Sequence, residues 1–232
     1  MQVHYLQKAN WKYNRLHLLK SNFVITLVLP KRRTIFLPLM NKSRLEAFSD
    51  GMFAIIMTIM ILDLKAPHGG TISDLLSVLP AFLCYTQSFL FVGVYWSNHH
   101  HLVHTAKKVN GKIMVANLGL LFWLSLIPFI TGWVASCDFA PQAVAAYAVL
   151  LLIPGFFWNI LRSAIEKNNP WSTQMQNAMK RMANKGYISI AIYSSAIPLA
   201  FVNPYISEVL FLLVSIMWFM PDKHVEKAME DE

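Results

Sequence analysis

Few residues of this 232-residue chain could do chemistry, and most of them fall in two short stretches. The first, Arg44 to Leu64, reads RLEAFSDGMFAIIMTIMILDL and holds Arg44, Ser49, Asp50 and Asp63. Twelve residues separate the two aspartates, and Thr58 is the one polar side chain among them. The second stretch is Asn98-His99-His100-His101 with His104, and Asn117 follows shortly after. A carboxylate set among apolar residues can carry a proton or a cation. Neutral imidazoles one helical turn apart, such as His100 and His104, can share a metal. A serine near a histidine, Ser49 with His99, has the parts of an activated nucleophile.

What must position these groups is a membrane bundle. The chain is 56% hydrophobic and only 14% charged, against about 25% charged residues in a soluble domain. Apolar windows long enough to span a bilayer occur at 44–64, 74–97, 113–135, 141–162, 186–202 and 204–220. The expected fold is therefore an all-α membrane protein with six transmembrane helices, the last two joined by a tight turn at Asn203-Pro204. Pro80, Pro128, Pro154 and Pro198 lie inside spans, where neighbouring helices tolerate kinks. The linker 168–185 places Met175, Met179 and Met182 at helical spacing among Lys180, Arg181 and Lys185. It reads either as an amphipathic helix in the membrane interface or as a packed connector.

Charge sets the orientation. Lys31, Arg32, Arg33, Lys42 and Arg44 precede the first span; Lys107, Lys108 and Lys112 follow the second. Arg162, Lys167, Lys180, Arg181 and Lys185 follow the fourth, while the opposite loops contain Lys65 alone. By the positive-inside rule both termini are cytoplasmic. The net charge of +8 does not imply nucleic acid, because residues 1–40 hold seven basic residues and no acid. Residues 1–39 read as a basic N-terminal extension, either dispensable, with Met40 as initiator, or lying on anionic lipid. Residues 40–220 form the transmembrane domain and 221–232 a short charged tail. Cys84 in a span and Cys137 near a loop occupy different environments, which argues against a disulfide.

A charge inside a spanning helix is costly and normally faces protein or water, so the first span is the candidate working element. At about 100° per residue, Phe48, Gly51, Ile55, Thr58, Ile59 and Leu62 share one stripe. Asp50 lies more than a right angle away and is expected to point into the bundle. There it shares a membrane level with Asn98, His99, His100 and Asn117, near Arg44. Two readings stand: a polar clamp holding three helices in register, or a direct role in proton or ion transfer.

The pattern R-x-x-x-F-S-D at Arg44, Phe48, Ser49 and Asp50, opening an Ile-rich first span, resembles the transmembrane protein 175 family. The six-span count and the Asn-His-His end of the second span also match its prokaryotic members, over roughly residues 40–220. The resemblance implies a potassium-selective or potassium-preferring channel without the T-V-G-Y-G filter of ordinary potassium channels, a sequence this chain lacks. It implies a homotetramer in which first helices line the pore, narrowed by rings of Ile55 and Leu62 with Thr58 between them as a hydroxyl layer, and Ile59 beside them. Such apolar rings can gate by dewetting. Asp63 would add carboxylates at the outer mouth, or pair with Lys65. Permeant K⁺ and lipid are the expected partners, with no cofactor, metal or nucleic acid, and the plasma membrane is the expected location.

Two other classes compete. A divalent-metal or proton-coupled transporter would use Asp50 and the His99–His104 cluster, but it predicts acids in several spans, and only Asp50, Asp63 and Glu208 qualify. An intramembrane enzyme would need more than the Ser49–His99 pairing, and neither G-x-S-x-G nor H-E-x-x-H is present.

Overall fold

The computed structural model describes residues 41–220, which are helical apart from short connections. α1 spans Lys42–Leu62, opened by Asn41, whose side chain accepts from the Ser43 N–H. α2, Ile72–Ser77, is a single amphipathic turn-and-a-half held by a capping box between Thr71 and Asp74. α3 is Leu79–His104, α4 Gly111–Leu124 and α5 Ile127–Ser136. α6 is Pro141–Asn168, α7 Thr173–Val202 and α8 Pro204–Phe219.

Five helical segments are long and apolar enough to cross a bilayer: 42–62, 79–104, 111–136, 141–168 and 173–202. Pro204–Phe219 is a shorter apolar sixth. Several boundaries differ from the sequence reading: the fourth span runs on to Asn168, and three other differences have a local reason. The second spanning helix starts at Leu79 because Asp74 caps the separate α2, and it continues to His104, so the histidine run is helical. The third span breaks at Ser125-Leu126 because Pro128, in the first turn of α5, has no N–H with which to continue the ladder. Residues 173–185 are the first turns of α7, continuous with the fifth span, and Met175, Met179 and Met182 are buried. The packed connector is thus the correct reading of that linker, and the interfacial helix is not. The readings of residues 1–39 and 221–232 lie outside the described residues.

The core is built by α3 to α8. α6 packs against α4 and α7, and α8 against α7 and α3. Leu120, Leu124, Ile127, Tyr147, Leu161 and Phe211 are fully buried there. Between helices in lipid, association rests on close packing and hydrogen bonds rather than on exclusion of water. Gly119 shows the closeness: a Cβ there would lie 2.5 Å from the Phe157 ring of α6. α1 stands at the side of this core, against α3, α4 and α5, and buries one face only. Both cysteines are free, Cys84 buried and Cys137 exposed.

Candidate functional site

The face α1 buries is Leu45, Ser49, Phe53, Ile56 and Met60, a spacing of three and four that keeps one side of a helix toward its neighbours. Ser49 is the one polar group on it. Its hydroxyl donates to the Leu45 carbonyl at 2.8 Å and accepts from Asn117 Nδ2 of α4 at 2.9 Å. The Asn117 Oδ1 in turn meets His99 Nε2 of α3 at 2.6 Å. All three side chains are buried, and the Phe53 ring leans on the imidazole at 5.4 Å between centroids. One hydrogen-bonded chain thus ties α1, α4 and α3 at a single level. Because Asn117 Oδ1 is an acceptor, it sets Nε2 of His99 as the protonated nitrogen.

The acid is not a member of this chain, contrary to the sequence expectation. Asp50 is half-buried on a third face of α1, where its Oδ1 accepts from Trp96 Nε1 of α3 at 3.0 Å. One residue of helix is a turn of about 100°, enough to give the inward position to Ser49 and a flanking one to Asp50. Asn98 donates to the Val94 carbonyl of its own helix. His100 is exposed and stacks on His104 with centroids 6.3 Å apart. Among the described residues no three His, Cys, Asp or Glu side chains converge as a metal set. Arg44 is exposed; the end of α1 is held instead by Lys42, which donates to the His104 carbonyl at 2.6 Å and pairs with Glu46 at 3.8 Å.

The stripe Phe48, Gly51, Ile55, Thr58, Ile59 and Leu62 is exposed along its length. Ile55 is 53% and Leu62 79% accessible, against 2% for Ile56 on the packed face. At about 100° per residue the two faces are centred roughly 130° apart. The Thr58 hydroxyl donates back to the carbonyls of Ala54 and Ile55, at 2.9 and 3.0 Å. Its proton is therefore engaged and its oxygen lone pairs are free to face outward. Asp63 is the exposed C-cap of α1, its Oδ2 3.3 Å from where a Cβ of Gly132 would sit on α5.

A second polar layer lies away from the first, at residues the sequence expectation did not include apart from Glu208. Ser88 of α3 bonds Thr131 of α5 at 2.7 Å and Tyr147 of α6 at 2.6 Å. Next to it Gln87 Nε2 donates to Glu208 Oε2 of α8 at 3.1 Å. The signal was the polar run Thr86-Gln87-Ser88 in the middle of an apolar span, at the depth of the acid Glu208.

The sequence profile described as endosomal/lysosomal potassium channel TMEM175 matches residues 44–128, from the first turn of α1 to the first turn of α5. A protein named potassium channel from Chryseobacterium sp. is 45% identical over 192 residues, covering 83% of this chain and 100% of that one. A potassium channel of Streptomyces collinus is 35% identical over 138 residues, covering 53% of this chain and 67% of its own. The endosomal/lysosomal proton channel TMEM175 of Homo sapiens is 34% identical over 121 residues, 47% of this chain but 22% of that protein. Among solved structures, the crystal structure of a lysosomal potassium-selective channel TMEM175 homolog from Chamaesiphon minutus superposes with a TM-score of 0.67 at 26% identity. It covers 77% of this chain and 96% of that one.

Proposed function

This chain belongs to the TMEM175 family of potassium channels, and on that premise we propose that it conducts K⁺ through a pore lined by α1 of four copies. It is a multi-pass membrane protein and a channel rather than an enzyme. The observation that carries the pore assignment is the exposed stripe of α1. A single helix cannot enclose a pore, and a closed ring of copies is the symmetric way to do so. In that ring Ile55 and Leu62 form apolar constrictions. Ile is stiff at χ1, so a ring of such side chains can close a narrow throat and gate it by dewetting. Thr58, with its lone pairs outward, supplies oxygens where an ion sheds water. Ile59 lies beside that layer, and Asp63 places a carboxylate at the outer end of α1.

The buried chain Ser49–Asn117–His99 is the anchor of the pore helix: it fixes the rotation of α1 about its axis and so which residues reach the ring. This favours the clamp over direct proton or ion transfer at Asp50. A divalent-metal transporter is not favoured, since Asp50 and the exposed histidines do not share partners. We place the protein in the plasma membrane with both termini cytoplasmic, a reading supported by the Lys/Arg distribution and by the bacterial relatives; it needs permeant K⁺ and no cofactor.

The test is ion flux into liposomes containing the full chain, under K⁺ or Na⁺ gradients, for wild type and Ile55→Asn. K⁺ flux should exceed Na⁺ flux in wild type, and Ile55→Asn should raise Na⁺ passage. Correctly folded protein that passes neither ion, or an Ile55→Asn variant with unchanged discrimination, would overturn the assignment.

A further inference from the structure

Away from α1, the helices α3, α6, α7 and α8 leave a cavity of about 90 Å³ between them. Its wall is largely aromatic and aliphatic: Phe91 and Tyr95 from α3, Leu151 and Trp158 from α6, Tyr193 from α7, Trp218 from α8. At one end stands Arg162. Among the described residues its Nε is buried without a hydrogen-bond partner, and its one ionic contact is a long 3.4 Å approach of Nη1 to Glu166. Nε is closed off from the cavity by its own burial, so what a ligand can reach is the Nη end of a side chain one-quarter accessible, whose weak pairing with Glu166 leaves donors in want of a partner.

Depth supplies one. α6 has 28 residues, so at about 1.5 Å per residue it is roughly 42 Å long, close to the full thickness of a bilayer with its headgroups. Arg162 lies about 9 Å from the basic end of α6, where hydrocarbon meets headgroup. From there the cavity wall runs along α6 to Leu151, about 16 Å into the apolar zone. Exposed Lys180 and Arg181 and half-buried Lys185 on α7 make the surroundings cationic, with Glu166 as the acid beside Arg162. Planar guanidinium is suited to bidentate phosphate.

The geometry points to a site for an anionic phospholipid of the leaflet at the basic end, its phosphate on the Nη end of Arg162 and one acyl chain lying along the aromatic wall, with only a few of its methylenes inside the cavity. Gly186 lines the same cavity, and a Cβ there meets nothing within 4 Å. A larger side chain at this position enters the cavity without a backbone clash, and leaving glycine raises helix propensity.

The experiment uses the full chain in phosphatidylcholine liposomes that contain acyl-brominated phosphatidylglycerol or acyl-brominated phosphatidylcholine. Quenching of tryptophan fluorescence is the readout, in a background whose other five tryptophans are replaced by Phe, so that only Trp158 and Trp218, which line the cavity, report. The brominated phosphatidylglycerol should quench at about tenfold lower mole fraction, the order expected for one charge-assisted contact. Arg162→Gln should abolish that preference yet keep quenching by both lipids. Gly186→Leu should weaken quenching by both. Tens of millimolar inorganic phosphate should leave the preference intact; competition by phosphate would assign the site to a free anion and overturn the lipid. Equal quenching by the two lipids in wild type, or a preference that survives Arg162→Gln, also overturns it. So does shielding of both tryptophans from either lipid, the result expected if a neighbouring copy fills the cavity.

Discussion

Asp50 and Ser49 differ by one position in the chain and by their whole role in the structure. The aspartate drew attention because a charge in an apolar segment is expensive, but its carboxylate ends beside Trp96 on a half-buried face. The serine carries the buried link to Asn117. Removing one member of a buried hydrogen-bonded chain leaves its partner unsatisfied, at a cost of about 1–3 kcal/mol per orphaned group. Asn117→Ala orphans both Ser49 and His99 and should destabilise more than Ser49→Ala. Asp50→Asn keeps an acceptor for Trp96 and should cost least. Thermal unfolding of the three variants in detergent checks the order, and an Asp50→Asn loss equal to that of Asn117→Ala would mean the carboxylate is part of the clamp after all. Thr58 is a second residue-scale case. Its engaged proton makes it an acceptor toward the exposed side, so Thr58→Val should lower K⁺ preference over Na⁺ in liposome flux while leaving stability nearly unchanged. Retention of full preference in that variant would remove Thr58 from the selectivity account. The polar residues themselves were legible in the sequence, while their pairing was not. Helical periodicity assigns faces, but which of two adjacent polar residues turns inward depends on what the neighbouring helix offers at that level.

Spanning helices were the most legible feature, because a bilayer imposes a length and a composition that no other context imposes so strictly. Their ends were less so. The start of α3 is decided by the side chains of Thr71 and Asp74 closing a capping box, and the fate of residues 173–185 by burial of three methionines against the rest of the bundle. Apolar periodicity alone cannot separate an interfacial face from a packed one. For α1 the two faces make an internal control. Ile55 and Ile56 are neighbours of the same type, one 53% and the other 2% accessible. Ile56→Asn buries an amide without a partner and should destabilise by about 3 kcal/mol. Ile55→Asn should leave unfolding within about 0.5 kcal/mol, the usual range for exposed sites, and change ion discrimination instead. If both variants lose stability alike, the stripe is packed and not pore-facing. Past the Leu62 end of α1, α2 offers a pH test. The Thr71 hydroxyl and N–H both donate to Asp74 and hold its carboxyl below the ordinary 3.8. A depressed carboxyl pKa stabilises the folded form above the unfolded value and loses that contribution as pH falls through the folded one. Amide exchange across residues 71–78, corrected for intrinsic rates, should therefore show less protection at pH 3 than at pH 6. Equal protection would mean that the cap does not hold α2.

α1 has a complete buried face and, across from it, a stripe that ends in a leucine 79% accessible; the other helices of a single copy also leave apolar residues exposed, Val115, Phe129 and Val202 among them. In lipid an exposed apolar stripe is not itself unstable, so apolarity cannot be what calls for partners. Asymmetry is what calls for them. α1 is clamped at a fixed rotation by Ser49, Asn117 and His99, a device with little purpose if its other side met only fluid acyl chains. A fixed rotation has value when the residues it presents must meet their symmetry mates. Oligomeric number is the part of the reading that neither hydropathy nor charge can supply, since both describe a chain against its solvent and not against its copies. If α1 stripes converge on an axis, Leu62 side chains of different copies come within reach of one another near the outer end. Leu62→Cys, placed in a Cys137→Ser background with Cys84 buried and inert, should form covalent dimers on mild oxidation in membranes. A single cysteine per copy can join pairs only, so the covalent product stops at dimers while native mass spectrometry of the same sample should give a tetramer. Cysteine at Ile56, on the packed face of the same helix, should not cross-link. Monomer in both measurements would leave α1 facing lipid, and the pore would have to be sought elsewhere in the bundle.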